Sequence, residues 1–233
     1  MSNIPKKIQS LLHKDLRGES RIENNGNVTL FYRYFTCEID SLEMVENINK
    51  EYKELKENKT NFDYEDHIWS LKRGQKLNYF YENLEDIFEF KGERYYYNIL
   101  GAVLTDIENP KDESSTIIEL IQYGNQYLEM MNKEEKTKFN ELPDELVVYR
   151  GVRWNLEEIE DVYDLISYSW TINYDTALWF AQTGSKEKSV VFKYTIEKDS
   201  VLSYFTRRKE SEIVLNFEDI DIDEVEIIFP DDL

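Results

Sequence analysis

Apolar positions in this chain keep two rhythms, and the change between them falls near Pro143. Before it the spacing is mostly helical. Residues 1–25 show weak helical spacing at Ile8, Leu11 and Leu12, and Asn24-Asn25-Gly26-Asn27 supplies turn chemistry. Val28 to Phe35 is dense in β-branched and aromatic residues and predicts a strand. Ser41 reads as the N-cap of a helix carrying Leu42, Val45, Ile48, Tyr52 and Leu55 and ending near Asn58. A second helical run extends from Ile68 to Phe88 with an interruption near Gly74. A third begins after Gly92, carries Tyr95 through Ile107 and stops before Asn109-Pro110. A fourth is predicted from Thr116, in a capping-box relation to Glu119, through Tyr127 and Leu128.

After Leu142-Pro143-Asp144 the pattern becomes one of short strands: Leu146 to Arg150, Ser189 to Ile196, Ser211 to Asn216 and Val225 to Phe229. One helix interrupts them, Tyr174 to Gln182, with Asn173 as N-cap and Gly184 past its end. The expected architecture is α+β: a mostly helical N-terminal region, residues 1–142, and a strand-rich region, residues 143–233, which need not be independent units.

Composition changes this picture little but charge narrows the function. Of 233 residues, 41% are hydrophobic and 14% aromatic, enough for a globular fold despite 33% charge. The net charge of −20 opposes general affinity for nucleic acid, because an acidic surface repels phosphate and gains nothing from counterion release. Cys37 is the only cysteine, so no internal disulfide or cysteine-based zinc site forms. With no signal-peptide core or membrane span near Met1, a cytoplasmic location is expected.

Three patterns after Pro143 carry chemistry. Arg150 ends its apolar strand and is followed by Gly151, which predicts a guanidinium at a sheet edge where backbone can approach a ligand closely. Its fork of donors suits pyrophosphate oxygens, although a strand-end arginine paired with a surface carboxylate has the same pattern. In Ile166-Ser167-Tyr168-Ser169-Trp170-Thr171 the hydroxyls of Ser167, Ser169 and Thr171 alternate onto one strand face, away from Ile166, Tyr168 and Trp170. Such a row orients a carboxylate beside a cleft, or simply forms the polar face of an edge strand. Glu210 and Glu212, two apart on a predicted strand, share a face and raise each other's pKa unless a cation or network uses them. Among 48 acids, however, the spacing also arises by chance.

In order and context the three patterns resemble the Arg-Ser-Glu class of mono-ADP-ribosyltransferases, which includes clostridial binary toxins, vertebrate ectoenzymes and phage-encoded transferases. Val148-Tyr149-Arg150-Gly151-Val152 resembles the family's arginine strand. Ser169-Trp170-Thr171-Ile172-Asn173, followed by Ala177, Phe180 and Ala181, resembles its Ser-Thr-Ser strand and the helix after it. Glu210-Ser211-Glu212-Ile213-Val214-Leu215 resembles its Glu-x-Glu segment. The likeness covers residues 145–229; Trp170 replaces the middle hydroxyl, Thr171 stands for the third, and the interval from Arg150 to Ser169 is shorter than in the toxins.

The resemblance implies a compact split β-sandwich core that takes NAD as substrate, without a metal. Arg150 would hold the NAD phosphates beside Gly151, Ser169 would brace the cleft and the catalytic glutamate, Thr171 would support the strand, and Phe180 would add to the NAD site. Glu212 would accept a hydrogen bond from the nicotinamide-ribose hydroxyl, and Glu210 would polarise the acceptor. The implied acceptor is a macromolecule, an arginine on a protein before a nucleic acid, with a neutralising antitoxin or immunity partner and no membrane role. Tyr204 and Phe205 would fall on the acceptor-recognition loop as exposed aromatics, or else serve as strand-end core. Arg207-Arg208-Lys209 beside them is either a target-binding patch or a solvated turn. His13 and His67 show no metal or triad pattern, and Met130-Met131 and Tyr95-Tyr96-Tyr97 read as helix packing. Lys-, Asn- and Ile-rich usage suggests a bacterial or phage source with an AT-rich genome, and the resemblance implies an effector or toxin role there. Two rivals stand beside this reading: an NAD glycohydrolase, and a non-enzymatic acidic interaction protein or nucleic-acid mimic.

Overall fold

The computed structural model describes residues 4–106, 113–154, 162–183, 188–208 and 210–230. The chain divides into two compact units, Met1–Asp63 and Tyr64–Leu233. The first contains α1 (Ile4–Leu11), α2 (Lys14–Arg17), β1 (Ser20–Ile22), β2 (Val28–Tyr32), β3 (Phe35–Ile39) and α3 (Leu42–Asn61). Its strands form an antiparallel meander in the order β1-β2-β3. The run from Val28 to Phe35 is therefore two strands rather than one. Tyr32 faces Phe35 across a turn at Arg33-Tyr34, residues that give no turn signal. The Ser41 hydroxyl accepts from the Met44 amide and caps α3 as expected. Leu12, Leu16, Val28, Leu30, Ile48 and Tyr52 form a core within this unit.

The second unit contains α4 (Tyr64–Ser70), α5 (Arg73–Glu82), α6 (Leu84–Asp86), α7 (Glu93–Leu104), α8 (Ser114–Gln122), α9 (Lys133–Glu141) and α10 (Tyr174–Gln182). Its strands are β4 (Glu145–Trp154), β5 (Ser169–Thr171), β6 (Lys188–Glu197), β7 (Val201–Phe205), β8 (Glu212–Leu215) and β9 (Glu226–Ile228). They form one sheet in the order β7-β8-β5-β4-β6-β9, antiparallel at each pairing, so the fold is α+β. Gly92, at φ +92°, separates a π-helical turn at Ile87–Lys91 from α7 in a conformation that side chains disfavour.

Helix ends differ from expectation in two places. Helix α8 starts at Ser114 with no side-chain cap, so Thr116 and Glu119 form no capping box, and Tyr127 and Leu128 belong to a separate 3-10 turn. The capping box lies instead at α9, where Asn132 and Glu135 exchange side-chain and backbone hydrogen bonds. Ile107, Asn109-Pro110, Gly184 and Lys209 lie outside the described residues.

The boundary expected at residues 142/143 is not where the chain divides. Phe80, Tyr96, Leu100 and Ile117 of the helices share one core cluster with Tyr168, Phe205 and Val214 of the strand-rich region. A second cluster unites Phe139, Leu146, Trp170, Phe192, Ile213 and Leu215. Strand β8 thus sends Val214 into one cluster and its neighbours into the other, burying the sheet on both faces. The change of rhythm at Pro143 marks a change of secondary structure within one unit. Among the described residues, no helix is long and apolar enough to cross a membrane.

Candidate active site

The site begins with a weak seam in the sheet. Strand β4 pairs with β6 along its whole length, from Glu145 opposite Glu197 to Trp154 opposite Lys188, but with β5 through a single register pair, Tyr149 and Thr171. Arg150 bridges the opening: Nε donates to the Leu165 carbonyl at 3.1 Å and Nη1 to the Ser169 carbonyl at 2.6 Å. Arg150 therefore sits in the middle of a central strand, not at a strand end on a sheet edge. Burial lowers its pKa to about 10, against the opposing effects of Tyr168 and Glu212, so it stays charged at neutral pH. Among the described residues, its other three N–H groups have no hydrogen-bond partner.

Gly151 lines the cleft, but its missing side chain has a local cause: a Cβ there would collide with the Ala177 carbonyl oxygen. Helix α10 rests on bare backbone at this point, its Ala177 and Ala181 buried against Val191 of β6. The Asn173 side chain caps α10 by accepting from the Thr176 amide at 3.2 Å.

Strand β5 supplies the hydroxyls. Ser169 Oγ donates to Glu212 Oε1 at 2.6 Å. Thr171 Oγ1 donates to the Glu210 carbonyl at 2.6 Å and accepts from the Asn173 amide at 3.1 Å, tying together the ends of the strand, the helix and the glutamate segment. Ser167 does not join this row: it is buried, with its Oγ 2.6 Å from that of Ser114. The chain bends at Tyr168, so strand alternation does not reach back to Ser167. Trp170 is core, its indole N–H donating to the Ser167 carbonyl.

Glu210 and Glu212 both line the cleft, yet not by alternation along one strand. Strand β8 starts at Glu212, and Ser211 before it has φ +49°, an uncommon conformation for a residue with a side chain. The Glu212 carboxyl is pushed above the ordinary value of 4.5, chiefly by burial and also by Glu210; the Ser169 hydrogen bond, Arg208 and Arg150 oppose the shift.

The resulting cleft has a volume of about 360 Å³. Besides the expected Arg150, Gly151, Ser169, Thr171, Phe180, Glu210 and Glu212, its walls include Leu104 of α7, Tyr168 and Arg208. Tyr168 is missed by a six-residue alternation that places it on the opposite face. Phe180 is 42% exposed and packs edge-on against Trp179.

The neighbouring turn departs from the resemblance. Tyr204 and Phe205 are buried on β7, not displayed on a loop. Arg207 pairs with the buried Glu135 through Nε and Nη2 and donates to the Met130 carbonyl, which makes it an anchor, not part of a basic patch. Arg208 alone of the described pair faces the cleft. Its charge is locally valuable, because Tyr64–Leu233 holds 18 Lys and Arg against 37 Asp and Glu, whereas Met1–Asp63 holds 10 against 11. Among the described residues, no cluster of His, Cys, Asp or Glu is arranged to hold a metal ion. Comparison of the chain with protein-family models, curated proteins and solved structures finds no match.

Proposed function

We propose that this protein is a mono-ADP-ribosyltransferase that cleaves NAD and passes ADP-ribose to an acceptor, an arginine side chain on a protein being the first choice. The carrying observation is that Arg150, Ser169 and Glu212, read from three separate sequence patterns, meet at one cleft with the Ser169 hydroxyl bonded to the Glu212 carboxylate. In this reading Arg150 and Arg208 supply positive charge for the NAD phosphates inside an otherwise acidic unit. As the bond from the ribose to nicotinamide breaks, positive charge develops on the sugar and a fixed carboxylate stabilises it electrostatically. Ser169 holds Glu212 in place for that task, and Thr171 holds the segment carrying Glu210. Glu210 lies close enough to raise the Glu212 pKa, which suits a second carboxylate that polarises the acceptor. The finer fold, a split β-sandwich, accords with a sheet whose two halves meet at the β4/β5 seam.

The test is incubation of the full chain with labelled NAD and a lysate, following both nicotinamide release and label transfer for the wild type and Glu212→Gln. Transfer by the wild type that vanishes in the variant supports the proposal. Nicotinamide release without a labelled acceptor supports a glycohydrolase, and no NAD turnover supports an acidic binding protein.

A further inference from the structure

We infer that the Tyr168 hydroxyl is a hydrogen-bond donor to NAD in this cleft, a substrate-binding group additional to Arg150, Ser169 and Glu212. The inference rests on the transferase reading and adds a residue that neither the sequence pattern nor the resemblance assigns.

Buried tyrosines elsewhere in the same unit show what a phenol normally does here. Tyr96 donates to the Leu120 carbonyl at 2.8 Å and Tyr97 to the Ile121 carbonyl at 2.7 Å. Tyr168 is nearly as enclosed, at 2% exposure, and its ring belongs to the same core cluster, but its hydroxyl oxygen is not sealed from solvent. Its hydroxyl nevertheless has no hydrogen-bond partner among the described residues, and the residue lines the cleft. A phenol without an internal partner at a cleft wall is completed there by solvent or by a ligand, at no net cost to the fold. The cleft is where that completion takes place.

The electrostatic setting narrows the ligand. Tyr168 lies near enough to Glu212 and Arg150 for the two to shift its pKa in opposite directions, while burial pushes it up most strongly. The phenol stays protonated and serves as a donor, so its natural complement is an oxygen acceptor. Between the carboxylate assigned to the nicotinamide ribose and the guanidinium assigned to the phosphates, that acceptor is a ribose or adjoining phosphate oxygen. The leaving group needs no proton from Tyr168. When the glycosidic C–N bond breaks, its electron pair leaves with nicotinamide, which departs neutral and takes up no proton. Tyr168 therefore acts by binding, and its loss should raise KM more than it lowers kcat.

The experiment is steady-state nicotinamide release as a function of NAD concentration, for the wild type, Tyr168→Phe and Tyr96→Phe, with thermal unfolding of each. The expected result for Tyr168→Phe is a KM about 3- to 10-fold higher, the size of one lost neutral hydrogen bond, with kcat within about 2-fold and Tm unchanged. Tyr96→Phe should lower Tm and leave KM alone, since its hydroxyl has a protein partner. A wild-type KM in Tyr168→Phe, with or without a drop in Tm, overturns the inference while the transferase reading stands. No nicotinamide release by the wild type removes the transferase reading, and this inference with it.

Discussion

Glu135 and Glu212 flank one short segment, residues 206–211, and the protein surrounds them in opposite ways. Glu135 has no exposed side-chain surface; it accepts from the Asn132 and Thr206 amides and from the Arg207 guanidinium. Among the described residues Glu212 receives one hydrogen bond, from Ser169, while the nearby Arg150 directs two donors to backbone carbonyls. The first region is saturated with partners and the second is left short of them. A saturated carboxylate fixes the chain; an undersatisfied one beside a cleft retains interaction energy for a ligand. The contrast separates a saturated carboxylate from an undersatisfied one beside the same stretch of chain.

The largest effect expected is on the anchor. Glu135→Ala leaves Arg207 without its carboxylate and should cost about 3–5 kcal/mol in urea unfolding at neutral pH. A loss under about 1 kcal/mol would mean that the ion pair does not hold the turn. Glu212→Gln should behave in the reverse sense, reducing nicotinamide release by about 100- to 1,000-fold without loss of stability. If that variant unfolded as easily as Glu135→Ala, the two carboxylates would be alike and the comparison would fail.

Gly151→Ala probes the wall common to sheet and cleft. The added methyl group meets the Ala177 backbone, so α10 must shift, at about 1–3 kcal/mol or more by thermal unfolding, with a higher KM for NAD as a consequence. The smallest expected effects concern pH. Because the folded-state pKa of Glu212 is raised, the folded chain binds a proton that the unfolded chain has released between 4.5 and that higher value. Stability thus falls as pH rises through this window. Glu212→Gln should be the more stable protein above the window and lose that advantage below it. Ser169→Ala removes the hydrogen bond that favours the charged carboxylate, and should move the acid limb of the pH–rate profile to higher pH.

Much of this contrast is legible in the sequence on one side only. The Arg150, Ser169, Thr171 and Glu212 patterns lead to the cleft because these residues lie on β4, β5 and β8 of one sheet, although Glu210 and Glu212 reach it without strand alternation. Tyr168 escapes that logic because β5 is three residues long and the chain bends before it. Glu135 escapes for another reason: its partner Arg207 lies 72 residues away, and no local spacing announces a pairing of that kind. Tyr204 and Phe205 turn inward because tertiary packing against the helical core, invisible in a family motif, claims them. The division at Asp63 and Tyr64 is likewise not announced, since periodicity reports secondary structure and not which elements share a core.

A sheet normally resists being pulled apart sideways, because separation breaks ladder hydrogen bonds one after another. Between β4 and β5 that ladder is already reduced to one pair of residues, so the sheet consists of two leaves, β6 and β9 with β4 on one side and β8 and β7 with β5 on the other. Arg150 is the clasp between them. Side-chain packing still joins the leaves, since Leu146, Trp170, Phe192 and Ile213 share one cluster, so at this seam the sheet is held by its core and by the Arg150 guanidinium in place of a backbone ladder. Lysine at position 150 would keep the charge and lose the clasp.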